Sequence, residues 1–204
     1  MLVIVNTGMG NFGSIQNMLK KIGFKAQLTN DSAEIAAAEK IILPGIGSFD
    51  SGMRQLHNRG VIEVLNRKVL KEKTPVLGVC LGMQLMARGS EEGAIPGLGW
   101  VDAEVLKFDF RDESDLKIPH MGWNTIDVKR PAALFQNSSD EKRFYFVHSY
   151  YVSCRHPQDI LATTRYGFDF ASAIHRENIY GVQFHPEKSH RFGMALFKNF
   201  MELT

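Results

Sequence analysis

Cysteine is scarce in this chain. Only Cys80 and Cys154 occur among 204 residues, which excludes the disulfide framework of a small secreted domain. An excess of one charge is lacking too: 24 Lys and Arg stand against 22 Asp and Glu, a formal net charge of +2. With no basic block along the chain, nothing in the charge points to nucleic acid. Long apolar runs are missing, and no segment approaches the ~20 residues that a helix needs to cross a bilayer. The opening MLVIVNTGMGNFGS has no basic stretch ahead of an apolar one. It reads as a strand and a turn, not as an export signal. These absences lead to the expectation of a reduced, cytoplasmic setting with neither membrane nor nucleic acid as partner. The sequon at Asn137 has no meaning in that setting. Repeats, low-complexity tracts and linkers are absent as well.

What remains is an ordinary globular composition, 44% hydrophobic and 23% charged, in a length that suits one domain over residues 1–204. In the first part, short apolar runs alternate with helical patterns. LVIV (2–5), KAQLT (25–29), KIILPG (40–45) and PVLGVC (75–80) read as strands. Between them, SIQNMLKKIG puts Ile15, Met18, Leu19 and Ile22 on one helical face and stops at Gly23. DSAEIAAAE opens with Asp31 and Ser32 as a cap. Residues 49–73 read as helix in two pieces broken near Gly60, and LGMQLMARGS (81–90) as a further helix. Alternation of this kind implies βαβ units and a parallel sheet covered on both faces. From about Trp100 to Phe184 the pattern turns to short strands, RFYFVHSYYV (143–152) and IYGVQFH (179–185) among them, with antiparallel hairpins expected. SHRFGMALFKNFMEL closes the chain as a helix with Phe192, Ala195, Leu196 and Phe200 in an apolar stripe. The expected class is α/β, with a mixed, mostly parallel sheet and a β-rich second half.

Two motifs compete to define the function. Residues 8–13, GMGNFG, spell G-x-G-x-x-G between a strand and a helix, and Asp31 stands about where a ribose-binding acid would sit. Read blandly, the same residues are a Gly-rich turn that lets a helix dock closely on its strand. The second motif is VLGVCLGMQ (76–84), where Cys80 stands between two Gly-x steps at the change from strand to helix. A sharp turn there lifts the side chain out of the sheet, and the helix start offers unpaired N–H groups and a partial positive charge to a thiolate. GVCLG fits the G-x-S-x-G elbow with Cys in place of Ser. The opposing reading, a small buried core cysteine, is the common fate of this residue.

A nucleophile needs a base, and the base an orienting group. YGVQFHPEKSH ends an apolar strand at His185, with Pro186 and Glu187 next. Pro186 biases His185 toward an extended backbone, and residues two apart in extended chain face the same way. His185 is thereby expected to meet Cys80 while Glu187 backs the imidazole. A metal reading through His185, Glu187 and His190 lacks a ligand spacing such as H-E-x-x-H. The histidines at 57, 120, 148, 156 and 175 have no equivalent strand-end partner. The loop LPGIGSF (43–49) follows another strand, and backbone N–H groups in such a turn can hold an oxyanion on the same sheet edge as Cys80.

PGIGSF, GVCLGMQ and FHPEKS resemble the class I, or triad, glutamine amidotransferases. GMGNFGS, PHMGWN (119–124) and FVHSY (146–150) are similar to the branch that forms the glutaminase subunit of imidazole glycerol phosphate synthase. The likeness runs from residue 2 to the last helix. It implies a flavodoxin-like three-layer sandwich and a triad of Cys80, His185 and Glu187. It also implies an oxyanion site at Leu81 and at Gly45 or Ile46 of the PGIG loop, and glutamine contacts at Gly47, Gln84, Glu92, Ser149 and Tyr150. Glutamine is the implied substrate, no cofactor or metal is implied, and the Gly-rich turn carries no dinucleotide. The resemblance further implies that ammonia passes to a separate (βα)₈-barrel cyclase subunit in histidine biosynthesis. Asn11, Met121, Trp123 and Lys188 are interface candidates, although a core position for Trp123 stays open. The isolated subunit is implied to be nearly idle until its oxyanion loop rearranges. One departure stands out: Asn6 and Thr7 replace the Asp and Tyr usual before GMGN. Three alternatives remain at this point. One is a paralogue that supplies ammonia for sugar amidation in surface-polysaccharide synthesis. A second is a Cys–His–Glu hydrolase of another amide or ester. The third is a nucleotide-binding module that uses GMGNFG.

Overall fold

A computed structural model describes residues 1–110, 116–136 and 141–204; Asn137 lies outside the described residues. The first half follows the expected alternation. β1 (Leu2–Val5), α1 (Phe12–Lys21), β2 (Ala26–Thr29), α2 (Ser32–Ala36) and β3 (Lys40–Gly45) come first. α3 (Phe49–Asn58) and α4 (Ile62–Asn66) follow, broken where Gly60 takes φ +64, and a π-helical turn continues α4 over Arg67–Lys71. Next come β4 (Val76–Cys80), α5 (Leu81–Leu85) and the short β5 (Gly89–Ser90). The second half is β6 (Ala103–Lys107), β7 (His120–Thr125), β8 (Asp127–Val128), β9 (Arg143–His148), β10 (Tyr150–Cys154), β11 (Ile160–Tyr166), β12 (Phe168–Arg176) and β13 (Ile179–Val182), closed by α6 (His190–Leu203).

The main sheet runs β2-β1-β3-β4-β13-β12-β10-β6-β5, with β11 and β8 attached beside β12. β2 through β13 on that path pair parallel, and β13, β12, β11, β10 and β6 join antiparallel. Strand alternation divides the core into two layers. Val3, Val5, Ile41, Leu43 and Val76 pack toward α2, α3, α4 and α5. Leu2, Ile4, Ile42, Leu77 and Val79 pack on the other side with Ile15 and Leu19 of α1, Leu196 and Phe200 of α6, and Phe144, Phe146 and Phe184. Helices therefore cover both faces, which is why the parallel strands read as unbroken apolar runs. Among the described residues no helix is long and apolar enough to cross a membrane.

Three local expectations differ from the structure. RFYFVHSYYV is two strands, not one. The chain bends at Ser149, so β9 pairs with β7 in a separate two-stranded sheet while β10 joins the main sheet. The helix after Cys80 ends at Leu85, because the Arg88 N–H is drawn to the Ala103 carbonyl and Gly89–Ser90 pairs with β6. β13 stops at Val182, and a bend carries the chain through Gln183 and Phe184 to His185.

Candidate active site

Cys80 ends β4 and caps α5 with φ 53 and ψ −110, a left-handed conformation that costs a non-glycine residue roughly 1–3 kcal/mol. The neighbouring glycines explain why the turn holds. A Cβ at Gly82 would lie 1.7 Å from the Leu43 carbonyl oxygen, and one at Gly78 would lie 2.7 Å from the Met83 nitrogen. Because both side chains are missing, α5 can rest directly on β3 and β4. The packed elbow holds Cys80 at the carboxyl edge of the parallel strands, where the residue is 8% exposed and lines a cleft.

His185 reaches the same edge from β13. Its backbone N–H donates to the Tyr145 carbonyl at 2.9 Å, and its own carbonyl accepts from the Ser189 hydroxyl at 2.6 Å. The imidazole Nδ1 lies 2.8 Å from Glu187 Oε1. This contact was expected from an extended segment, but its origin is different: Pro186–Lys188 form a 3₁₀ turn that folds Glu187 back onto the ring. A proline directly after His185 keeps that residue extended and starts the turn at the next one. Nε2 is buried with no hydrogen-bond partner, and both His185 and Cys80 line one cleft. Burial opposes charge on the ring, but the Cys80 sulfur and the Glu187 carboxylate together outweigh it and push the His185 pKa up to about 10. Cys154 shows the reverse situation. Burial, with Asp159 nearby, pushes its thiol up to about 12, so it is a poor nucleophile.

The cleft has a volume of ≈ 340 Å³, and Gly47, Gln84, Glu92, Ser149 and Tyr150 all line it. Leu81 and Ile46 line it too, whereas Gly45 does not and sits beneath Leu81. Glu92 Oε2 accepts the Phe49 N–H at 2.8 Å and so ties its loop to the start of α3. The PGIG loop is braced from the N-terminal turn. The Ile46 N–H donates to the Met9 carbonyl at 3.3 Å, and the Thr7 hydroxyl lies 2.9 Å from that carbonyl and 3.4 Å from the Pro44 carbonyl. GMGNFG thus serves as a support for the loop. Asp31, the acid a ribose would need, accepts from Ala33 and Glu34 N–H groups at 2.8 and 3.0 Å as the cap of α2. Both observations go against the dinucleotide reading. A larger open groove of ≈ 730 Å³ between α2 and α4 is lined by neither cysteine nor histidine.

The family model for glutamine amidotransferase class-I matches residues 3–203. The chain belongs to that family. Curated relatives include "Imidazole glycerol phosphate synthase subunit HisH 2" of Methanococcus maripaludis, 54% identical over 99% of both chains. A protein of the same name from Pseudomonas aeruginosa is 49% identical over 100% of both chains. Among solved structures, one described as a glutamine amidotransferase superposes with a TM-score of 0.73 at 20% identity, covering 98% of this chain and 97% of the other. PurLQS from Thermotoga maritima gives 0.73 at 16% identity, over 98% and 96%. At those identities the structures establish the fold alone, the expected class I amidotransferase sandwich.

On this amidotransferase the four interface candidates lie on three elements: Asn11 at the start of α1, Met121 and Trp123 on β7, and Lys188 in the turn after His185. Met121 is 62% exposed and Trp123 40%, so Trp123 is not a core residue. Its ring stacks on His190 at 5.6 Å and 6°, which uses His190 for packing rather than for a metal. Among the described residues no group of His, Cys, Asp and Glu could hold a metal ion. Lys188 sits over the Tyr145 ring at 5.5 Å. Asn11 opens α1, accepting from the Ser14 hydroxyl at 2.8 Å, and α1 packs against the Pro186–Lys188 turn. Three residues at or next to the cleft escaped the sequence reading: His148 lines it, Gln183 lies against Cys80, and His120 backs His148. His120 and His148 look unpartnered in the sequence but face each other across β7 and β9, with ring nitrogens 3.0 Å apart. Only the strand register could have revealed that pairing.

Proposed function

We propose that this chain is the glutaminase subunit of imidazole glycerol phosphate synthase, with Cys80, His185 and Glu187 as its triad. The observation that carries the reading is His185 in the cleft beside Cys80, with Nδ1 held by Glu187 and Nε2 unpartnered. Cys80 Sγ bonds to the amide carbon of glutamine, and the thiol proton resides on His185. The carbonyl electron pair moves onto oxygen, held by the Leu81 N–H and a donor of the PGIG loop. As the tetrahedral centre collapses, His185 passes its proton to the departing nitrogen, and ammonia leaves a glutamyl thioester on Cys80. Water, deprotonated by His185, then releases glutamate and restores the thiol. Glu187 keeps the imidazole oriented and favours its charged form. Gly47, Gln84, Glu92, Ser149 and Tyr150 form the glutamine pocket.

With the Ile46 N–H committed to Met9, the resting loop offers the oxyanion fewer donors. This supports an isolated chain of low turnover that a partner activates. That partner is a (βα)₈-barrel cyclase subunit docking on Met121, Trp123, Lys188 and Asn11, in the cytoplasm. A second reading has one observation in its favour: the Methanococcus and Pseudomonas relatives are both numbered HisH 2. On that reading the chain is a paralogue whose ammonia serves sugar amidation in surface-polysaccharide synthesis. The test is glutamate release from glutamine by the purified chain, alone and with a cyclase subunit of the same organism plus that subunit's nucleotide ligand. A large rise only in the complex supports histidine biosynthesis. Glutamine-analogue labelling of Cys80 with no response to the cyclase favours the paralogue, and an inert Cys80 in both settings defeats the glutaminase reading.

A further inference from the structure

His120 and His148 are buried beside the cleft and take no part in the chemistry above. Their hydrogen bonds permit one arrangement of protons. The Tyr150 carbonyl only accepts, so His148 Nδ1, 2.8 Å away, carries a proton. His148 Nε2 is then an acceptor, and His120 Nδ1 donates to it at 3.0 Å. His120 Nε2 in turn accepts from the Asn124 amide at 3.2 Å. Both rings are neutral, and burial keeps them so: it is the largest influence on each pKa, lowering that of His120 to about 4 and that of His148 to about 3.

A chain of donors that ends on a carbonyl relays no proton. It can fix a direction. The second lone pair of the Tyr150 carbonyl accepts Gln84 Nε2 at 3.0 Å. The other Gln84 amide hydrogen goes to Gln183 Oε1 at 3.1 Å, and Gln183 Nε2 lies 3.7 Å from Cys80 Sγ. With both N–H bonds of its amide engaged, Gln84 is left with Oε1 for the cleft that it lines. We propose that His120 and His148 are positioning residues for the glutamine pocket: through the Tyr150 carbonyl they hold the Gln84 side chain with Oε1 ready for a donor group of the substrate. The proposal rests on the glutaminase reading. It also gives the β7–β9 hairpin two working faces, since Met121 and Trp123 alternate with His120 and Asn124 along β7 and point outward.

Two polar substitutions at one site separate positioning from packing. In His148→Asn the side-chain nitrogen takes the place of Nδ1 and still donates to Tyr150. In His148→Gln it takes the place of Nε2, and that bond is lost. Assayed in the complex with the cyclase subunit, His148→Gln is expected to raise KM for glutamine about tenfold, the size of one lost hydrogen bond, while kcat stays within about threefold. His148→Asn is expected to stay near wild type, and iodoacetamide alkylation of Cys80 to be unchanged in both. Equal KM values for the two variants, or alkylation slowed in step with KM, overturn the proposal. A measurement on the unaltered chain stands beside it: ¹⁵N NMR at neutral pH is expected to show the Nδ1–H tautomer for both rings. An Nε2–H tautomer or an imidazolium at either one overturns it, whether or not the variants fold. Failure of the wild-type complex to release glutamate defeats the functional reading separately and leaves the tautomer result standing.

Discussion

The Cys80 elbow and the β7–β9 hairpin face each other across the cleft and are built in opposite ways. The elbow is a backbone device. Its strained φ is secured by glycines two residues to either side and by direct contact of α5 with β3 and β4. The hairpin acts through side chains, with His120 and His148, 28 positions apart, joined only by strand register. The difference teaches where each kind of site keeps its information. A backbone device depends on consecutive residues and is intolerant of added volume, whereas a side-chain network depends on long-range pairing and is sensitive to the loss of single polar atoms.

The largest break in that comparison is at the nucleophile. Cys80→Ala is expected to lower glutamate release in the complex by at least ~10⁴-fold, since no other group replaces the thiol. A fall of less than tenfold would remove Cys80 from the chemistry. The supporting frame comes next. Gly82→Ala forces a Cβ to within 1.7 Å of the Leu43 carbonyl, so α5 must lift. An overpacked core site of this kind loses about 1–3 kcal/mol or more, read as a lower midpoint in denaturant titration. An unshifted midpoint would show that the elbow tolerates volume after all and that its glycines have another cause.

Much of the elbow side was legible because its causes are local. Unbroken apolar runs marked β1, β3 and β4, Asp31 marked the cap of α2, and Gly-x-Cys-x-Gly marked the turn. His185 and Glu187 were brought together for a partly mistaken reason, since a 3₁₀ turn rather than an extended segment joins them. The hairpin side was not legible. RFYFVHSYYV has the composition of one strand, and nothing in its pattern announces that Ser149 turns the chain from one sheet into another. That bend sets His148 and Tyr150 on the cleft. The pairing of His120 with His148 follows from register, and register is decided by tertiary packing.

Glu187 offers a smaller and sharper test. Glu187→Gln removes the carboxylate that favours the imidazolium but leaves the nucleophile and the base, so kcat is expected to fall by about 10–100-fold, less than the ~10²–10⁴-fold that general acid–base assistance as a whole contributes. The pH profile carries the diagnostic sign. His185 is pushed up to about 10, so it keeps its proton for the leaving ammonia through neutral pH, and activity falls on the alkaline side near that value. The acid limb belongs to the coupled Cys80–His185 pair. Without the carboxylate the imidazolium is less favoured, and the alkaline limb moves down by ~1–3 units. An unmoved limb, with or without a loss of rate, would take Glu187 out of the electrostatics of the site.

The smallest expected effect sharpens the contrast from outside the cleft. Cys154 is free and half-buried on β10, and its thiol is pushed up from 9.0 to about 12 by burial first and then by Asp159. Raising the folded pKa of an acid favours the protonated form in the folded state. The unfolded chain ionises first as pH rises, so Cys154 costs nothing below the unfolded value, and stability falls progressively between 9.0 and about 12. One unit above the unfolded pKa the loss is about 1.4 kcal/mol, the equivalent of one pKa unit. Cys154→Ser removes this term, so the variant is expected to gain about that much stability over wild type at alkaline pH relative to the difference at neutral pH, read by denaturant titration at both. The loss of alkaline stability through His185 is common to both proteins and cancels in the comparison. Glutamate release is expected to stay within about twofold of wild type, the behaviour of a substitution remote from the reacting atoms. If the stability difference were independent of pH, Cys154 would have an ordinary thiol. The selectivity of an electrophile for Cys80 would then rest on access to the cleft rather than on the contrast between the two cysteines.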